Sequence, residues 1–210
     1  MPKKRVIFDL DGTILSCNFP TVEESYFKSL YGENGVTLYN NIGTYLDEYE
    51  LTHTRYDKEL LACFLTYKSK LDVTLEVIDE WNRLILTLPD HLEDGVVDVI
   101  ECFKNKNYKI SVLTNWFRDT QVPRLLRAGI IHYFDNIITG DMQLKPHKCA
   151  YFAAMQSNCP EECIMIGDGL EKDYIGPRSV GIESILYDKD DKHHPNIVKV
   201  KRLNELVNKY

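Results

Sequence analysis

Five short apolar segments alternate with helical patterns along much of this chain. The predicted β-strands are residues 6–8, 109–114, 136–139, 163–166 and 183–187. Short strands that are apolar throughout, and that are separated by helices, are typical of a parallel sheet with helices on both of its faces. The sequence therefore predicts an α/β fold built on such a sheet.

Residues 16–90 interrupt this alternation, because their apolar residues recur at helical spacing instead. The clearest helix of this stretch is centred on Trp81 and is followed by Pro89. We therefore predict a helical insert over residues 16–90, placed between the first strand and the rest of the sheet. The predicted core consists of residues 1–15 and 91–210.

The overall composition argues against some classes of binding partner, namely nucleic acids and membranes. The net charge of −7 disfavours a nucleic-acid ligand held on a basic face. No apolar run approaches the ~20 residues that a membrane-spanning helix needs, and the start of the chain leaves no room for a signal peptide before the first strand. The six cysteines show neither a disulfide framework nor a zinc-binding spacing. We therefore expect a cytoplasmic protein with reduced thiols, no membrane partner, and a monomeric or homodimeric state.

Polar side chains follow four of the predicted strands, at the point where each strand ends. Ligands of an open parallel sheet bind beyond the carboxyl ends of its strands. We therefore expect these side chains to meet at one edge of the sheet. They are Asp9, Asp11 and Thr13 after the first strand, Thr114 and Asn115 after the second, Lys145 after the third, and Asp168 and Asp173 after the fourth.

The spacing of Asp9 and Asp11 favours a catalytic role over a structural one. Residues i and i+2 of a strand point the same way, so the two carboxylates are expected to lie close together. Such a pair is costly unless a cation lies between the groups or one of them holds a proton. Gly12 follows and allows the chain to turn sharply.

The residue types at this edge suit a magnesium site that serves phosphoryl chemistry. Mg²⁺ prefers oxygen ligands, and Asp9, Asp168 and a backbone carbonyl near Asp11 are candidates, with Asp173 as a further ligand, directly or through water. A cation there would allow Asp9 to attack phosphorus and form an aspartyl-phosphate. Asp11 would then act as general acid and base. Thr114 and Lys145 would hold the phosphoryl oxygens.

Four further residues lie next to these motifs, and three of them have two possible interpretations. Thr13 is a candidate for substrate binding because it follows the acid pair. Asn115 either lines the site through its amide or forms a turn. Trp116 and Phe117 either stack on a substrate ring or serve only for packing.

These four segments resemble the motifs of the haloacid dehalogenase-like hydrolases. Asp9 to Thr13 matches the first motif of that family, Thr114 the second, Lys145 with Pro146 the third, and Gly167-Asp168 with Asp173 the fourth. The resemblance implies a Rossmann-like core, and a cap domain over residues 16–90 that closes over the site. The pattern at residues 167–173 is similar to the branch that contains nucleotide and sugar-phosphate phosphatases.

The chain also departs from the pattern of this family at three places. Trp116 stands where a glycine often follows the second motif, and Gly169 stands where Ser or Thr is common. Glu93-Asp94-Gly95 replaces a frequent Pro-Gly. None of these departures removes a member of the acid cluster.

The expected activity is Mg²⁺-dependent hydrolysis of a small phosphorylated metabolite, a nucleotide or a sugar phosphate, through an aspartyl-phosphate. One alternative is a phosphotransferase or mutase that uses the same intermediate. A second is dehalogenation at carbon, which has no use for the acid at Asp11. The third is a binding protein for a phosphorylated ligand, without catalysis.

Overall fold

The computed structural model describes residues 3–210, and for Thr21 only the backbone. A parallel sheet of six strands forms its centre, in the order β5-β4-β1-β6-β7-β8, and two further strands form an antiparallel pair. The strands are β1 (Arg5–Phe8), β2 (Leu15–Ser16), β3 (His91–Leu92), β4 (Lys109–Leu113), β5 (Asn136–Ile138), β6 (Cys163–Gly167), β7 (Glu183–Tyr187) and β8 (Lys199–Val200). The predicted α/β class is therefore confirmed.

The register of the sheet brings the strand ends together. β1 lies between β4 and β6, and Phe8 at its end pairs with Val112 on one side and Ile166 on the other. The residues that follow these strands consequently emerge at one level. β4 and β5 lie on one side of β1, and the later strands β6 to β8 lie on its other side. Such a reversal of the strand order creates the crevice in which open α/β sheets bind ligands.

Helices cover both faces of the sheet. Apolar side chains alternate between the two faces along β1, so each face needs a helix to bury it. Val6 and Phe8 pack against one helix, and Ile7 packs against another on the opposite face. The helices are α1 (Phe19–Tyr31), α2 (Glu33–Thr52), α3 (Lys58–Ser69), α4 (Leu75–Thr87), α5 (Val96–Asn105), α6 (Arg118–Arg127), α7 (Lys148–Met155) and α8 (Gly176–Arg178). Val6 and Phe8 share a cluster with α5, and Ile7 shares one with α7.

The predicted helical insert contains α1 to α4, which enclose an apolar cluster that includes Phe27, Tyr49 and Trp81. The short β2 and β3 pair where the chain enters and leaves this segment. Gly35 allows α1 and α2 to pack closely, because a Cβ at this position would lie 1.9 Å from the carbonyl oxygen of Phe27.

None of the described helices combines the length and the apolar character needed to cross a membrane.

Candidate active site

The turn after β1 places the first group of polar side chains. The N–H of Asp9 donates to the carbonyl of Ile166 at 2.9 Å, which continues the pairing of β1 with β6. Gly12 then turns the chain with φ +81°. A Cβ at this position would lie 2.4 Å from Oδ2 of Asp168. Glycine is therefore required both for the backbone conformation and for the space that the acidic groups occupy.

Three carboxylates converge at this turn. Oxygen atoms of Asp9, Asp168 and Asp173 all lie within 4.8 Å of one another. Asp9 and Asp173 are buried, whereas Asp168 reaches the surface. Incomplete solvation and the neighbouring charge of Asp173 raise the pKa of Asp168 to about 6. Burial likewise raises the pKa of Asp9, and the carboxylates of Asp173 and Asp168 raise it further.

Lys145 supplies one positive charge to this cluster. Its Nζ lies 2.6 Å from Oδ1 of Asp9 and 2.6 Å from Oδ1 of Asp173. Burial opposes the charge of Lys145, but the carboxylates of Asp173 and Asp9 outweigh burial and raise its pKa above the usual value. The ammonium group therefore stays charged, and it orients the carboxylate of Asp9.

The donor set of the cluster fits a hard divalent cation. Three carboxylates face a single ammonium group, so further positive charge is needed to offset their repulsion. All three groups offer oxygen atoms, which Mg²⁺ prefers. The structure thus brings together Asp9, Asp168 and Asp173 of the predicted metal ligands. A contribution from Asp11 through its backbone stays a prediction.

The side chain of Asp11 points to α6 and not into the acidic cluster. Its Oδ2 accepts a hydrogen bond from Nε2 of Gln121 at 2.7 Å, and its Oδ1 lies 2.7 Å from Nη1 of Arg124. The guanidinium of Arg124 is only 1% exposed and also pairs with Asp90, at 2.8 Å. Both oxygens of Asp11 are therefore held in a fixed orientation beside the cluster.

Gln121 also links Asp11 to the end of β4. Its Nε2 lies 2.8 Å from Oγ1 of Thr114, which is itself buried. Oε1 of Gln121 accepts a hydrogen bond from Nη1 of Arg124 at 2.7 Å. Thr114 thus lies at the site as predicted, within a connected set of polar side chains.

Asn115 fixes the backbone of the loop that carries the lysine. Its Nδ2 donates to the carbonyl of Lys145 at 2.9 Å, and its Oδ1 accepts from the N–H of Lys145 at 2.9 Å. These two bonds position Lys145 through its backbone. Asn115 also lines the cavity beside the site, so it does more than form a turn. The hydroxyl of Thr13 is buried and donates to Oδ1 of Asp168 at 3.5 Å, a long contact.

Trp116 adopts an unusual backbone conformation, with φ +113°. A residue other than glycine in this region costs on the order of 1–3 kcal/mol, so the surrounding structure must hold it there. The N–H of Gly140 donates to the carbonyl of Trp116 at 2.6 Å, and a Cβ on Gly140 would clash with the Trp116 backbone. The indole of Trp116 lies 4.8 Å from that of Trp81, centroid to centroid.

The two aromatic residues after Asn115 differ in their surroundings. Phe117 is 3% exposed and belongs to the apolar cluster of the helical insert, so it serves for packing. Trp116 packs beside the same cluster, but it also lines a cavity next to Asp11.

Sequence reasoning missed four residues of this site, namely Gln121, Arg124, Asp90, and Glu23, which lines the cavity next to Asp11. Gln121 and Arg124 are three positions apart on α6, which puts them on the same side of the helix. Polar residues on a helix face that packs against the core were an available signal. Asp90 and Glu23 carry no comparable signal, because their partners come from distant parts of the chain.

A family model described as haloacid dehalogenase-like hydrolase matches residues 3–181. Among curated proteins, the chain is 31% identical over 199 residues to glyceraldehyde 3-phosphate phosphatase of Methanothermobacter thermautotrophicus, which covers 89% of this chain and 86% of that protein. It is 24% identical over 215 residues to pyrimidine 5'-nucleotidase PynA of Streptococcus pneumoniae, with coverages of 91% and 85%.

Two solved structures resemble the whole fold. The HAD-hydrolase YfnB from Bacillus subtilis, solved bound to magnesium, superposes with a TM-score of 0.72 at 19% identity and covers 99% of this chain and 98% of its own. L-2-haloacid dehalogenase from Xanthobacter autotrophicus gives a TM-score of 0.72 at 15% identity, with coverages of 98% and 97%. At these identities the likeness concerns the fold alone.

Proposed function

Because the chain belongs to the haloacid dehalogenase-like hydrolases, we propose that it is a Mg²⁺-dependent phosphatase that hydrolyses a small phosphorylated metabolite through an aspartyl-phosphate. The observation that carries this proposal is the cluster of Asp9, Asp168 and Asp173 around the ammonium group of Lys145. Two curated relatives are named as phosphatases of a sugar phosphate and of pyrimidine nucleotides, which supports phosphate monoesters as the substrate class.

The proposed enzyme has two parts, a catalytic core and a cap domain. Residues 1–15 and 91–210 form the catalytic core, and residues 16–90 form a cap domain. The antiparallel pairing of β2 with β3 gives the insert two adjacent connections to the core. Two adjacent connections allow the insert to move as one unit over the acidic cluster, and lids of this kind exclude water from a reaction.

The nucleophile in this proposal is Asp9. Lys145 holds one of its oxygens, and the other attacks phosphorus while the bond from phosphorus to the leaving oxygen breaks. Asp11 gives its proton to the leaving oxygen, which departs as an alcohol. A water molecule then attacks the phosphorus of the aspartyl-phosphate, Asp11 takes its proton, and phosphate and the free Asp9 carboxylate result.

The remaining residues position these groups. Mg²⁺, bound by Asp9, Asp168 and Asp173, would supply the positive charge that allows a phosphate dianion to approach a carboxylate. Lys145 and Thr114 bind phosphoryl oxygens, and Asn115 keeps Lys145 in place. Thr13 is proposed to act through the bond of its hydroxyl to Asp168.

Phosphate release from a panel of sugar phosphates, nucleotides and phosphorylated acids, with and without Mg²⁺, tests the proposal. We expect release that depends on Mg²⁺ and that falls about a thousandfold or more in Asp9→Asn. Asp98→Asn is the matched control, because Asp98 is exposed in the first turn of α5. Full activity of Asp9→Asn, or activity that survives complete chelation, would overturn the proposed mechanism.

A further inference from the structure

A cavity of about 160 Å³ lies beside Asp11, between the helical insert and the core. Its lining residues are Phe19, Leu46, Trp81, Ile85 and Trp116, which are apolar or aromatic, and Asp11, Glu23, Asn115 and Arg124. In the proposed reaction Asp11 gives a proton to the leaving oxygen. The leaving alcohol must therefore lie on the Asp11 side of the phosphoryl group, and this cavity is the space available there.

The volume of the cavity favours a small leaving group. Pockets that enclose drug-sized ligands measure about 300–1,000 Å³. A short alcohol fits this space better than a complete nucleoside does.

The only cationic side chain in the described lining is already paired. Arg124 lies 2.7 Å from Oδ1 of Asp11 and 2.8 Å from Oδ1 of Asp90, and its guanidinium stands over the ring of Phe19 at 5.1 Å. Two carboxylates thus use the charge of one guanidinium. A second anionic group on the substrate would find no free positive charge here.

Glu23 adds a negative charge to the same cavity. Its Oε1 accepts a hydrogen bond from Nε1 of Trp81 at 2.8 Å, and no ion pair to Glu23 occurs within residues 3–210. Burial raises the pKa of Glu23, and the bond from Trp81 partly opposes this effect. When ionised, Glu23 repels an anionic ligand and attracts an ammonium group or another N–H or O–H donor. Neighbouring aromatic rings also favour cations.

We propose, on the basis of the phosphatase activity above, that this cavity binds the leaving group and selects small phosphate monoesters whose alcohol is cationic or uncharged. Glu23 is the specificity-determining residue, because its carboxylate excludes substrates with a second anionic group. The expected order of preference is cationic, then neutral, then anionic.

Three substrates of similar size test this order, namely 2-aminoethyl phosphate, ethyl phosphate and phosphoglycolate, which differ in the charge of the leaving group. Their kcat/KM values are measured at pH 8 with Mg²⁺. We expect the wild-type protein to prefer 2-aminoethyl phosphate over phosphoglycolate about tenfold or more. Glu23→Gln keeps an acceptor for Trp81 and removes the charge, so it should reduce this ratio to about threefold or less, mainly through KM.

Glu24→Gln is the matched control, because Glu24 is the exposed neighbour of Glu23 on α1. It should keep the wild-type ratio. Equal use of phosphoglycolate and 2-aminoethyl phosphate by the wild-type protein overturns the inference even if Glu23→Gln does not fold, and the phosphatase proposal then stands. A Glu23→Gln ratio equal to that of Glu24→Gln removes the role of Glu23. Absence of phosphate release from all three substrates, and from the wider panel, overturns both proposals.

Discussion

At Lys145, one ammonium group meets the carboxylates of Asp9 and Asp173 at 2.6 Å each, and Asn115 holds its backbone from both sides. The residue is 2% exposed, so water cannot replace either ion pair. The residue therefore has two functions at once. It orients Asp9, the proposed nucleophile, and it offsets part of the repulsion within the acidic cluster.

Lys145→Gln should lower both activity and stability. Removing one partner from a buried ion pair leaves an uncompensated charge, which typically costs about 3–5 kcal/mol. We expect a loss of this size in the free energy of unfolding, measured with urea in the absence of Mg²⁺, and a fall in kcat of about a hundredfold or more. Lys148→Gln, at an exposed position in the first turn of α7, should leave both quantities unchanged. A stable and active Lys145→Gln protein would contradict the proposed charge balance.

Gln121→Leu tests how Asp11 is oriented. Gln121 donates to Asp11 at 2.7 Å and to Thr114 at 2.8 Å. Without these bonds only Arg124 restrains the carboxylate of Asp11, at one of its two oxygens. Proton transfer by a positioned side chain contributes about 10²–10⁴-fold to a rate. We expect kcat to fall about tenfold to a hundredfold while KM changes less than about threefold. An effect confined to KM would show that Gln121 acts in substrate binding.

Among the elements, α2 of the insert and the segment after β6 are connected by ion pairs. Nζ of Lys172, next to Asp173, lies 2.8 Å from Oδ1 of Asp47 on α2 and also pairs with the buried Glu50. Tyr56 donates to Oε1 of Glu50 at 2.6 Å. These contacts connect the helical insert to the loop that carries two of the proposed metal ligands.

Lys172→Met should loosen this connection. Glu50 is 4% exposed and would lose its cationic partner, so the arrangement of insert and core seen here becomes less favourable. We expect a larger radius of gyration in small-angle X-ray scattering and a higher KM, with secondary structure unchanged by circular dichroism. Lys70→Met is a suitable control, because Lys70 follows the last residue of α3 on the insert and takes part in none of the ion pairs that the described residues form between insert and core. An unchanged scattering profile would contradict this account of the contact.

For the whole molecule, most of the sheet could be predicted from the sequence, because its strands are continuous apolar runs and its motifs follow strand ends. The same argument predicted that four side chains meet at one edge of the sheet, namely Asp9, Lys145, Asp168 and Asp173. β2, β3 and β8 were missed, since a strand of two residues carries too little pattern for a prediction. Arg124 was missed as well, because its partners Asp11 and Asp90 are distant in sequence and become neighbours only after folding.

Without a metal ion, stability of the whole protein should depend on pH. The pKa of Asp168 is about 6 in the folded protein against 3.8 as its ordinary value. A carboxyl group with a raised pKa binds more protons in the folded than in the unfolded state between these values. Its stabilising effect is therefore fully present below about pH 4 and is lost as the pH rises through about 6.

Thermal unfolding with a chelator, measured from pH 4 to pH 8 in the wild-type protein and in Asp168→Asn, tests this dependence. The loss of stability with rising pH should be smaller in Asp168→Asn. Added Mg²⁺ should raise the Tm of the wild-type protein more at pH 8 than at pH 5, because binding to the folded state alone stabilises it. Equal effects of Mg²⁺ at both pH values would contradict a metal site at Asp168.

The contact between Trp81 and Trp116 gives this protein its own optical reporter. The chain has two tryptophans, and both lie where the insert meets the core, with ring centroids 4.8 Å apart. Tryptophan emission from the unlabelled protein therefore comes from this junction. Separation of the two indoles would let water reach them and shift the emission to longer wavelengths. The proposed opening of the insert can thus be tested by stopped-flow fluorescence on mixing with substrate, without an introduced dye.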